Sequence, residues 1–97
     1  MKKSMRIKAS GHVIERKIID KLINLIMRAD GGDLRELVIR IPTIATGVCE
    51  QSASTITFYL VHEEDKLEGL YRKVIDLLQE DEFVIMDTDM QSGGDRE

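Results

Sequence analysis

The groups in this chain that could act on a substrate are the thiol of Cys49, the imidazoles of His12 and His62, and the carboxylates of Glu63, Glu64, Asp65, Asp87 and Asp89. A cysteine nucleophile works as the thiolate and needs a base or a positive field beside it. Cys49 stands among small and polar residues with no histidine near it in sequence, so it reads as a loop residue unless folding brings an imidazole to it. A single cysteine closes no disulfide within the chain and is only one ligand of a thiolate site. Metal sites converge three or four ligands at set spacings, whereas His12 and His62 each stand apart from any second His or Cys. No metal and no cofactor is expected. His62 next to Glu63, Glu64 and Asp65 is either an oxygen-rich patch or a solvated helix start, where acids favour the positive dipole end. Asp87 and Asp89 share one face of a terminal strand and are expected to face water.

Phosphate-binding turns follow a strand and open a helix. Gly31-Gly32-Asp33 instead follows a helical pattern, so the glycines read as a helix stop. No Gly-x-Ser-x-Gly elbow is present. The inventory holds no complete catalytic site, and the chain reads as a non-enzyme. A small enzyme using Cys49 or His62 is the remaining catalytic alternative.

The bulk properties narrow the partners. Fourteen basic residues stand against 18 acidic ones, a net charge of −4. Nucleic-acid binders usually carry a basic field that displaces counterions from phosphates, so nucleic acid is not expected as a partner. Lys2, Lys3, Arg6 and Lys8 crowd the first strand and read as its solvated side. No apolar run reaches the ~20 residues a membrane helix needs. The basic start leads into a charged alternating pattern, unlike a signal peptide. A cytoplasmic protein without a membrane segment is expected, consistent with the single cysteine.

Those groups must be held by elements that the periodicity marks out. Met5, Ile7 and Ala9 alternate with Arg6, Lys8 and Ser10, a half-buried strand over 5–11. From about Glu15 to Ala29, Ile18, Leu22, Leu25 and Ala29 form a helical stripe, with Ile19, Ile23 and Ile26 beside it. Leu37, Ile39 and Ile41 alternate in a second strand, closed by Pro42 and so expected at a sheet edge or ending there. Residues 43–53 make a long connection. Ile56, Phe58 and Leu60 alternate with Thr55, Thr57, Tyr59 and Val61 in the strongest strand. Asp65 with Glu68 has the spacing of a capping box, and Leu67, Leu70, Val74 and Leu78 recur at helical spacing. Phe83 to Met86 closes the order as a short strand.

The order β-α-β-β-α-β gives a ferredoxin-like α+β sandwich: a four-stranded antiparallel sheet with both helices on one face, first and third strands central. One domain over 5–89 is expected, with residues 1–4 and 90–97 as frayed tails. The uncovered sheet face then carries Arg6, Lys8, Thr55, Thr57 and Tyr59. RNA-binding sheets stack bases on several aromatics there, and Tyr59 alone could serve. A semi-polar β-branched face suits docking of another sheet or domain, so this face or the second-strand edge is the expected homo-oligomer interface.

The motifs Gly11-His12-Val13-Ile14, Ile18-Ile19-Asp20, Gly31-Gly32-Asp33-Leu34, Ser54 opening a strand and Asp65-x-Leu67 opening a helix resemble the conserved N-terminal region of the lysine-ketoglutarate reductase/saccharopine dehydrogenase bifunctional enzyme family. In archaeal and bacterial relatives that region precedes a domain similar to ornithine cyclodeaminases. The resemblance spans about Met5 to Leu78. It departs at Glu15, where an aspartate is expected, and over 43–53, which lacks the family's charged character. The dehydrogenase chemistry of that family belongs to other segments. The resemblance implies an accessory or regulatory role in lysine, ornithine or arginine metabolism, through oligomerisation or an amino-acid ligand, beside a separate catalytic subunit or domain. It directs attention to Gly11, His12, Gly31, Gly32 and Asp33 as ligand-binding residues, although conformational punctuation accounts for the same glycines. An unrelated amino-acid-sensing module of the ACT type would share the topology.

Overall fold

A computed structural model describes residues 1–13, 17–29, 31–41 and 54–91. Among the described residues six elements follow one another: β1 Lys2–Gly11, α1 Ile18–Met27, β2 Asp33–Arg40, β3 Ser54–Glu63, α2 Glu64–Glu80 and β4 Val84–Gln91. The strands form one sheet in the order β2-β3-β1-β4, antiparallel throughout. This is the ferredoxin-like βαββαβ sandwich, with β1 and β3 central as the crossover rule requires.

Alternation decides what each face buries. Met5, Ile7 and Ala9 of β1 and Ile56, Phe58 and Leu60 of β3 point towards the helices. They pack with Ile18, Leu22 and Ile26 of α1 and Leu67, Leu70, Val74 and Leu78 of α2 in one core cluster. Phe58 lies fully buried in it and is its largest such side chain. At roughly 25 cal/mol per Å² of apolar surface removed from water, such side chains contribute about 1.5–3 kcal/mol each.

The bounds differ from the sequence expectations for identifiable reasons. β1 begins at Lys2 because β3 extends to Glu63 and offers partners for Lys2, Lys3 and Ser4; these residues are strand rather than tail. The Met1 ammonium adds an ion pair to Glu63 at 3.1 Å. β4 likewise runs to Gln91, paired with Ser4. β2 starts at Asp33, four residues before its alternation becomes visible. Its register shifts between Arg35 and Val38, where Glu36 takes a left-handed φ of 54°. The extra residue puts Leu34 and Leu37, three apart, both against the core. A bulge of this kind hides a strand from a period-two search.

At the helix ends, α2 starts at Glu64, and its N-cap residue Glu63 makes no side-chain cap bond. Asp65 therefore lies inside the helix and forms no capping box. α1 stops at Met27, and Gly31 further on takes the left-handed turn at φ 87°. The expectations for Ile14, Glu15, Pro42, the 43–53 connection and Gly93-Gly94 fall outside the described residues.

Candidate functional site

The residues singled out by the resemblance lie at two opposite ends of the sheet. Gly11 pairs with Ser54 at the start of β3. Its backbone lies against the Phe83 ring, so closely that a methyl group there would come within 2.6 Å of the ring carbons. His12 follows it, half-buried. Gly31 and Gly32 sit instead over His62, near the other end of β3; a methyl group at Gly31 would be 3.5 Å from the imidazole Cε1 and one at Gly32 3.6 Å from Cδ2. Ser54 and His62 are eight residues apart along β3, roughly 26 Å at strand spacing. Asp33 ion-pairs with Arg35 at 3.1 Å. Gly31 and Gly32 are thus gathered with His62, and His12 stands at the far end.

His62 is the residue whose setting departs most from expectation. It is only 4% exposed, not part of a solvated helix start. The reason is parity: Ile56, Phe58 and Leu60 face the helices, and the next step of the same alternation turns His62 inward. Extending the strand pattern by one residue in the sequence would have found this. Its Nδ1 accepts the Glu63 backbone N–H at 2.9 Å.

The open face of the sheet follows from the register. Arg6 stands opposite Tyr59, Lys8 opposite Thr57 and Ser10 opposite Thr55; Val38 and Arg40 of β2 join the same rows. Arg6 pairs with Asp87 at 2.9 Å. This face is semi-polar and partly self-neutralised.

The flank formed by α1 and β2 is different. Ile19, Ile23 and Met27 recur every fourth residue on α1, one stripe along the helix. Ile19 lines a shallow groove of about 230 Å³ with Val13, Lys17, Asp20, Ile39 and Ile41, so the stripe runs beside β2. Ile23 is 44% exposed, Met27 78% and Ile39 40%, whereas Val38, 53% exposed, belongs to the open face. Sequence reading placed Ile23 on a wide helical face meant for the sheet. The sheet ends at β2, and among the described residues nothing covers the outer margin of that face.

Two further features complete the geometry. Lys21 of α1 donates to both carboxylate oxygens of Asp81, at 3.1 and 2.8 Å, tying the helices together. Among the described residues no group of three or more His, Cys, Asp or Glu could hold a metal ion, and no helix is long and apolar enough to cross a membrane. Cys49 lies outside the described residues.

No family model matches the chain, and no curated protein matches it. Among solved structures it is similar to a hydantoinase/carbamoylase family amidase from Burkholderia ambifaria, with a TM-score of 0.61 over 92% of this chain and 11% sequence identity. The chain spans 27% of that protein's length. At this identity the likeness is one of fold.

Proposed function

We propose that this chain is a non-catalytic accessory or regulatory domain of amino-acid metabolism that acts by associating with a second copy of itself. The observation that carries this is the α1/β2 flank, where the large apolar side chains Ile23, Met27 and Ile39 stand exposed next to a strand edge. Exposed apolar patches of this kind mark protein contacts. The link to amino-acid metabolism comes from the resemblance to the lysine-ketoglutarate reductase/saccharopine dehydrogenase region. The accessory character is supported by the amidase, in which the matched fold is about a quarter of a larger chain.

Sedimentation of the purified chain at micromolar concentration tests the association. A mass near twice 11.1 kDa is expected, and a monomer at all concentrations would remove the reading. Regulation by an amino acid is a second, separable part, favoured by the groove between α1 and β2, where Lys17 and Asp20 offer opposite charges beside Val13, Ile19, Ile39 and Ile41. A thermal-shift screen of free amino acids checks it. Ligand at 100 times its dissociation constant adds about 2.7 kcal/mol to stability, so binding of lysine, ornithine or arginine raises Tm by several degrees. No shift with any amino acid ends the sensing role and leaves the association intact.

A further inference from the structure

We infer that the groove between α1 and β2 is a binding site for a free α-amino acid with an aliphatic side chain, Lys17 taking its carboxylate and Asp20 its ammonium group. This rests on the reading of the chain as an amino-acid-responsive domain, and names the ligand class and the residues that select it. Val13, Ile19, Ile39 and Ile41 line the groove together with these two charged residues. Val13 is buried, Ile19 and Ile41 are half-buried and Ile39 is exposed, whereas Lys17 and Asp20 are exposed and so form the rim. An apolar floor thus carries one positive and one negative group at its border. Sites for small molecules have that character, a mostly apolar concavity with a few polar groups that fix orientation. At about 30 Å³ for a group the size of a water molecule, the groove of about 230 Å³ has the scale of one amino acid, not of a nucleotide or a peptide.

The two charges are available. Lys21 is tied to Asp81, but among the described residues neither Lys17 nor Asp20 makes an ion pair or a side-chain hydrogen bond. Lys17 also holds a left-handed conformation with a φ of 53°, and backbone strain of this kind recurs at ligand clamps. A ligand with both charges on one carbon satisfies both residues, whereas an amine or a carboxylic acid satisfies one. Asp20 is the sole acidic residue of the described lining. Once it holds the α-ammonium, a second cationic group at the end of the ligand's side chain has no partner there and stays in water. Lysine then binds through its methylene stem, and norleucine, the same stem without the terminal ammonium, binds more tightly. Each methylene removed from water against the floor raises affinity about fourfold.

NMR titration of the isotope-labelled full chain, followed by its amide chemical shifts, tests the site. The probes are alanine, norvaline, norleucine and lysine, with hexanoate and pentylamine as the analogues of norleucine that lack one head group. Norleucine is expected to give saturable shifts at Val13, Ile19, Asp20 and Ile39, with affinity rising through alanine, norvaline and norleucine. Hexanoate and pentylamine bind at least about threefold more weakly, the size of effect an exposed ion pair supports. Lys17→Gln weakens norleucine and does not weaken pentylamine; Asp20→Asn weakens norleucine and does not weaken hexanoate. Both variants keep the parent's circular dichroism. Norleucine binding that survives both substitutions, or saturable shifts confined to the open sheet face, overturns the assignment of the groove. Binding of lysine without binding of norleucine overturns the aliphatic selection and leaves the sensing role standing. No saturable shift with any amino acid overturns both.

Discussion

At Gly11 the chain has no room for a side chain, because the Phe83 ring lies on the backbone. Gly11→Ala must push that ring or shift β1, an overpacking cost of about 1–3 kcal/mol. Urea unfolding should show a lower midpoint with an unchanged slope. The Lys21–Asp81 bond is a second residue-scale test. Asp81 is nearly buried and Lys21 is about half exposed, so screening keeps the pair's coupling to about 0.5–1 kcal/mol in a double-mutant cycle of Lys21→Ala and Asp81→Ala. Neither contact was visible in the sequence, since each joins positions about 60 to 70 residues apart that no local pattern relates. His62 is the opposite case. Its inward orientation was legible from the parity of β3, once the strand was carried through Val61.

The elements show where local preference and tertiary context disagree. Lys17 holds a left-handed conformation, φ 53° and ψ 41°, at the start of α1. For a residue with a Cβ this costs roughly 1 kcal/mol, and glycine adopts it freely. Lys17→Gly should therefore raise Tm by a few degrees despite glycine's poor helix propensity, as the position lies outside the helix interior; a lowered Tm would show that the lysine side chain is needed there. α1, β3 and α2 were plain in the sequence because their apolar spacing is regular. The early part of β2 was not, because the bulge at Glu36 shifts the alternation by one. The late part of β4 was legible only in part: its apolar residues end at Met86, with Asp87 and Asp89 sharing one face beyond them, and it is pairing with β1 that carries the strand on to Gln91.

For the molecule as a whole, both helices and the inner strands share one core cluster, so none of the described elements has a hydrophobic centre of its own. Thermal unfolding should be a single transition, coincident by far-ultraviolet circular dichroism and by tyrosine fluorescence. Two separate transitions would contradict a shared core. Phe58→Ala, at the middle of that core, is expected to remove about 3–5 kcal/mol. That is a large share of the roughly 5–10 kcal/mol a domain of this size holds, and a substantial unfolded fraction at 37 °C would follow. The proposed self-association would add to this stability by mass action; on that reading Tm of the parent chain rises with protein concentration while that of Met27→Glu, at an exposed position of the α1 stripe, does not.

The sequence by itself determined the class of fold, the order of elements and the residues that fill the core, because burial against a sheet imposes a period of two on strands and of 3.6 on helices and both periods are written in the chain. Which side chains meet was decided only by tertiary structure. Strand register brought Gly31 and Gly32 over His62 and left Gly11 and His12 at the far end, and the width of the sheet left Ile23 and Met27 exposed. Register and sheet width depend on pairing between distant segments, which leaves no mark on the local order of residues.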